Sequence, residues 1–204
     1  MTLQEKMSSG ALYNCSLEAL DAELRKEFDR CKELLYDFNH SRPNELAQRN
    51  AIIREVFAET KGEFYIEPPL HANWGLNTHI GEGFYANFNL TLVDDTDIYI
   101  GNHVMIAPNV VLATGTHPIL PELREQDYQY NLPIHIGDNV WIGAGSIVLP
   151  GVTIGAGSVI GAGSVVTKDI PENVVAIGNP CRVLREIGDY DRDYYCMGRK
   201  IEID

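Results

Sequence analysis

Six histidines, four cysteines and a surplus of carboxylates are the groups with reactive chemistry in this chain. Their spacing sorts them. His117, in the run Gly115-Thr116-His117-Pro118, stands where a six-residue repeat gives way to the polar stretch PILPELREQDYQYNLP. A side chain there has a rigid strand on one side and a solvent-reachable loop on the other, which suits a general base. Imidazole, with an ordinary pKa near 6.5, is the usual proton acceptor at neutral pH. Only residue type recommends His40, His71, His79, His103 and His135. Cys15, Cys31, Cys181 and Cys196 lie far apart without a Cys-x-x-Cys pair, so neither a zinc knuckle nor a disulfide framework is indicated.

Charge adds a second candidate. Sixteen basic against twenty-nine acidic side chains give a formal charge of −13, which argues against nucleic acid or an anionic membrane surface as partner. Within that acidic chain Lys168, Arg182 and Arg185 form a basic group, as an anionic, phosphate-bearing ligand requires. The absence of a secretory hydrophobic stretch before the first cysteine reads as cytoplasmic.

The elements that position these residues follow from a repeat. From Asn139 to Thr167 no residue is charged, long enough for a bilayer span, but seven glycines and Pro150 lie inside it and disfavour a helix. The segment divides into sixes instead: IGDNVW from Ile136, then units from Ile142, Val148, Ile154, Ile160 and Val166. Upstream the same frame begins at Ile80, Ala86, Leu92, Ile100, Ile106 and Leu112, twelve units in all. Position one is aliphatic or alanine, position two is usually small, and position five is mostly small or β-branched. A period of six contains the strand period of two but not the helical 3.6, so short strands separated by turns are expected, with position one pointing inward. Stacked units bury an aliphatic ladder that none could bury alone. The expectation is a mainly β chain, a β-solenoid of four coils if each coil has three sides.

Helical spacing precedes the repeat. Leu17, Leu20, Leu24, Phe28, Cys31, Leu35 and Phe38 recur at three and four, predicting an amphipathic helix over roughly 16–38. Pro43 suits the first turn of a second helix carrying Leu46, Ile52, Ile53, Val56 and Phe57. This pair is expected to cap the open end of the solenoid. The organisation so read is an N-terminal helical cap over 1–60, a β-helix over 61–185 with a protruding loop insertion at 118–134, and a polar, tyrosine-rich tail over 186–204.

Read together, EFDRCKELLYDFNHSRP, EPPL, GFYANFNLTLVDD, IGNHVMIAPNV, GTHP, ELRE, PIHIGDNVWIGAGSIVLPGVTIG and IGAGSVVTKDIPENVVAIGNPCRVLREI make nearly the whole chain similar to the galactoside and maltose O-acetyltransferase family of hexapeptide-repeat proteins. The resemblance implies a left-handed parallel β-helix, a homotrimer with sites between neighbouring β-helices, and acetyl transfer from acetyl-coenzyme A to a sugar hydroxyl without a covalent acetyl-enzyme. It implies that His117 is the base and that Asn87 and Asp95 hold the sugar acceptor. Two further acceptor positions depart from the galactoside pattern: Cys15 stands for an aspartate and Asn73 for a serine. For coenzyme A it implies Ala144, Ala162, Thr167, Lys168, Arg182 and Arg185, and no metal is required. Other readings are an acetyltransferase for serine or an antibiotic, a scaffold without activity, and a zinc lyase on the same repeat. The last needs two histidines five residues apart, a spacing that no pair here has.

Overall fold

The computed structural model describes residues 1–203. The six-residue period folds into a parallel β-helix with three faces. The first face stacks Glu59–Thr60, Thr78–Ile80, Ile98–Ile100, Ile134–Ile136 and Thr153–Ile154. The second stacks Phe64–Ile66, Phe84–Ala86, Met105–Ile106, Trp141–Ile142, Val159–Ile160 and Val174–Ile177, with Arg182–Glu186 closing it antiparallel. The third stacks Leu70–Ala72, Leu90–Val93, Val111–Ala113, Ile147–Val148 and Val165–Val166. Five coils result, over 59–72, 78–93, 98–113, 134–148 and 153–166, one more than the twelve repeat units imply. In the extra coil Lys61 stands where later coils have Gly81, Gly101, Gly137 and Gly155, and Glu67 where they have Ala107, Gly143 and Gly161, so its sequence hides its period.

Position one points inward throughout. Ile80, Ile100, Ile136 and Ile154 form one internal ladder, Ala86, Ile106, Ile142 and Ile160 a second, and Leu92, Leu112, Val148 and Val166 a third, all buried. Corners that stack this closely need small residues. A Cβ on Gly143 would lie 2.6 Å from Ala162 N on the next coil.

Three helices precede the coils, where two were expected: α1 over Leu3–Ser9, α2 over Ala22–Asn39 and α3 over Leu46–Val56. A capping box of Thr2 and Glu5 starts α1. Expected helix boundaries shift for local reasons. The Asp21 side chain accepts from Glu23 N and Leu24 N, starting α2 there, so Leu17–Ala19 forms a separate 3₁₀ turn. Pro43 lies in the turn before α3, where the Glu45 carboxylate accepts from Arg42 N. Cys31, Leu35, Phe38, Ile53 and Val56 join the solenoid core over the first coil. Side chains also satisfy that coil's open edge: Asn39 Nδ2 donates to Leu70 O at 2.9 Å while its Oδ1 accepts from Leu70 N at 2.8 Å, and Lys32 Nζ donates to Ala72 O. Among the described residues no helix is long and apolar enough to cross a membrane.

Candidate functional site

The insertion after the third coil only partly protrudes. Pro121–Arg124 forms a short exposed helix, but Tyr128–Asn131 returns as a strand between Gly115–Thr116 and Tyr13–Asn14, all antiparallel. The expected loop is therefore packed only along its return strand. Gln129 and Asn131 are buried although polar, because each finds hydrogen-bond partners inside.

This small sheet aims His117. The ring is exposed, and Nδ1 lies 2.9 Å from Tyr128 O. A carbonyl only accepts, so Nδ1 carries the proton and donates it. In the neutral ring Nε2 then keeps its lone pair. That is the tautomer of a base.

Below His117, on the same corner, lies Asp95. The residue is 8% exposed, and its carboxylate accepts from Asn73 Nδ2 at 2.9 Å, Trp74 Nε1 at 3.1 Å and Gln129 Nε2 at 2.9 Å. A Cβ on Gly115 would run into Asp95 Oδ2, so glycine is what lets the strand leading to His117 pass the carboxylate. Cys15, Asn73, Asp95 and Gln129 wall one cavity of about 230 Å³, with Met7 and Trp74. Three of the four expected acceptor residues thus meet in a single space. A larger cavity of about 420 Å³ between α1 and the turn after Trp74 holds, of the expected site residues, only Asp95.

Asp94 supports this arrangement from inside. Fully buried, it accepts from Asn73 N at 3.0 Å, Trp74 N at 2.9 Å and Thr78 Oγ1 at 3.1 Å, fixing the turn that presents Asn73 and Trp74 to Asp95. Burial pushes its carboxyl up from the ordinary 3.8 to about 6, against the pull of those donors.

Strand register divides the remaining residues between two edges of the prism. Val93 pairs with Ala113, Leu112 with Val148 and Val148 with Val166, so Asp95, His117, Thr167 and Lys168 all follow the third face at one corner. Ala86 pairs with Ile106, Ile106 with Ile142 and Ile142 with Ile160, which sets Asn87, Ala144 and Ala162 on the corner before that face. Three to four strand residues, on the order of 10–15 Å, separate the two. Asn87 Nδ2 donates to Tyr85 Oη at 3.2 Å and makes no hydrogen bond to Asp95 or His117. The backbone N–H groups of Ala144 and Ala162 have no acceptor among the described residues. Arg182 and Arg185 lie on the closing hairpin, where Arg185 is held by Asp191 in two contacts of 2.7 Å that lower the Asp191 carboxyl to about 2. Lys168 and Arg182 form no ion pair among the described residues.

Sequence reasoning missed Tyr13, Trp74, Asp94, Gln129 and Asn131, which build the wall around Asp95. One signal was available. The alternation Tyr128-Gln129-Tyr130-Asn131 has the strand period, with polar residues on the inner side.

The chain is similar to known proteins in sequence and fold. Residues 133–168 match the family model for bacterial transferase hexapeptide (six repeats), and residues 6–62 that for the maltose acetyltransferase hexapeptide capping motif. A galactoside O-acetyltransferase of Escherichia coli (strain K12) is 50% identical over 202 residues, 99% of this chain and 98% of that protein. A solved galactoside acetyltransferase in complex with coenzyme A superposes with a TM-score of 0.93 at 48% identity, covering 100% of both chains. The maltose O-acetyltransferase from Clostridium difficile 630 gives a TM-score of 0.88 at 46% identity over 93% of this chain and 99% of its own.

Proposed function

The chain belongs to the galactoside and maltose O-acetyltransferase family of hexapeptide-repeat proteins and is an acetyltransferase, and from that premise we propose that it moves an acetyl group from acetyl-coenzyme A to a pyranoside hydroxyl with His117 as general base. The observation that carries this reading is the Nδ1 hydrogen bond to Tyr128 O, which leaves Nε2 free to accept the hydroxyl proton. The thioester co-substrate supplies an already activated acyl group, so the protein's work is to orient the hydroxyl, take its proton and return that proton to the departing sulfur. No thiol of the chain is needed. Burial raises the pKa of Cys15, Cys31 and Cys181, which makes each a poor nucleophile at neutral pH.

The acceptor lies in the cavity of Cys15, Asn73 and Asp95, whose fixed polar groups suit ring hydroxyls. The donor set for coenzyme A also fits an anionic ligand: free backbone N–H groups at Ala144 and Ala162, Thr167 beside Lys168, and Arg182. Arg185 would have to exchange Asp191 for phosphate.

Both sets are split between two edges of one prism. His117, Asp95, Thr167 and Lys168 stand on one, Asn87, Ala144 and Ala162 on the other. A reaction that uses both sets at once requires the edges to come from adjacent copies, and a cyclic homotrimer supplies that pairing three times over. Sedimentation is expected to give about three times the 22.8 kDa of one chain.

Release of free thiol from acetyl-coenzyme A, assayed with galactosides, glucosides, maltose, serine and chloramphenicol, tests the reading. Pyranosides should be acetylated. Turnover confined to serine or chloramphenicol would replace this function with the other acceptor class. His117→Ala should lower kcat by about 10² to 10⁴ while leaving the Kd for acetyl-coenzyme A unchanged. Retention of more than about half of the turnover would remove His117 as the base.

A further inference from the structure

The two amides beside Asp95 have their orientation set by its carboxylate. Asn73 Nδ2 donates to Oδ1 at 2.9 Å and Gln129 Nε2 to Oδ2 at 2.9 Å. A carboxylate accepts and cannot donate, so it draws the N–H end of each amide inward and turns the carbonyl end away. For Gln129 a second oxygen adds to the constraint, because Nε2 is also 2.9 Å from Asn131 Oδ1, whereas Tyr13 Oη, at 2.7 Å, can donate as well as accept and sets no direction. Reversing the amide would set Oε1 against the Asp95 carboxylate and the Asn131 carbonyl, two oxygens that cannot donate to it. Gln129 Oε1 and Asn73 Oδ1 accept from no protein donor among the described residues, and neither is a buried atom without a partner. Both residues line the cavity of about 230 Å³. Two immobilised acceptors, on residues that border that space, are therefore left without a protein donor.

We infer that Gln129 is a specificity-determining residue that offers Oε1 to one ring hydroxyl of the acceptor, with Asn73 Oδ1 beside it and Asp95 holding both in place. The inference rests on the reading that this cavity takes the pyranoside. Its chemical content is selective: an acceptor lacking the matching hydroxyl leaves a desolvated carbonyl without a donor, and sites built this way reject such analogues strongly. Cys15 has no strong acceptor of its own, so the hydroxyl acceptors on this wall are the two amides and the lone pair that the Asp95 carboxylate has left.

Kinetics with a set of monodeoxy pyranosides decides it. The wild-type enzyme should lose about tenfold in kcat/KM on one particular deoxy analogue. Gln129→Met, which keeps the side-chain length and removes both ends of the amide, should lose about tenfold on the parent sugar and nothing further on that analogue, with the KM for acetyl-coenzyme A unchanged. Penalties for the variant and the missing hydroxyl that simply multiply on every analogue would overturn the role of Gln129 and leave the acetyltransferase reading intact. A wild-type panel in which no hydroxyl other than the acetylated one matters would overturn it without any variant, should Gln129→Met fail to fold. An enzyme that acetylates no pyranoside at all would end both claims.

Discussion

The wall of the solenoid and the corner that carries the candidate site adjoin at the end of the third face, yet they are specified in different ways. Along the wall, each buried aliphatic meets its counterpart one coil away, for example Ile142 between Ile106 and Ile160. At the corner, Asp95 depends on groups from four separate stretches: Tyr13, the turn at Asn73 and Trp74, Gly115, and the returning strand with Gln129 and Asn131. Tyr13 and Asn131 are 118 residues apart and within hydrogen-bond distance. A repeat tolerates a single change as a local loss of packing, whereas a convergent polar cluster couples one change to several partners.

That contrast can be pressed from each side. A change to the wall should cost stability and spare chemistry: Ile142→Ala, at a fully buried position, is expected to lower unfolding stability by about 2 to 5 kcal/mol with little change in KM for either substrate. Denaturant unfolding and steady-state kinetics on the same preparation check this. A large change in KM would mean that the wall and corner are not separable.

Asp94 sits at the junction, and its effect should depend on pH. Its carboxyl titrates at about 6 in the folded protein and near 3.8 when exposed. The folded state therefore holds this proton more tightly, and the stability it contributes is complete below pH 3.8 and is lost as pH rises through about 6. A difference of about two units corresponds to about 3 kcal/mol. Asp94→Asn removes the titration, so the stability difference between variant and wild type should move in favour of the variant by about that amount between pH 3.5 and 7. Parallel stability profiles would show that folding leaves the Asp94 pKa at its ordinary value.

The smallest effect is expected inside the cavity. Cys15→Asp adds a charged acceptor facing the sugar and should lower the KM for a galactoside by an amount on the order of 1 to 3 kcal/mol, with kcat less affected. An unchanged KM would place residue 15 away from the sugar.

Legibility from sequence follows the same division. The ladder from Ile80 to Val166 was readable because its period is local and its position-one residues are all aliphatic or alanine. The first coil was not, because Lys61 and Glu67 replace the small residues that mark two of its corners. Helix α1 carried a readable signal in Thr2 and Glu5. His117 could be singled out by its place at the end of the repeat, whereas its tautomer depends on Tyr128 O, which only the return of the insertion brings near. Asp95 was expected, but its partners were not, since nothing in the spacing of Tyr13, Trp74 and Gln129 shows that they converge. The polarity of 118–134 suggested full exposure, and hydrogen bonding rather than hydrophobicity buries Gln129 and Asn131 within it.

The central claim is that acetyl transfer takes place where the edge bearing His117 meets the edge bearing Asn87 of another copy, and coexpression of two impaired chains tests it directly. His117→Ala and Asn87→Ala, each alone, should have little activity. In mixed assemblies, an intact His117 edge from one variant meets an intact Asn87 edge from the other at about a quarter of the sites under random assortment, so roughly a quarter of wild-type turnover should return. Mixed assemblies with no more turnover than their parents would contradict the shared site and place the whole reaction within a single chain.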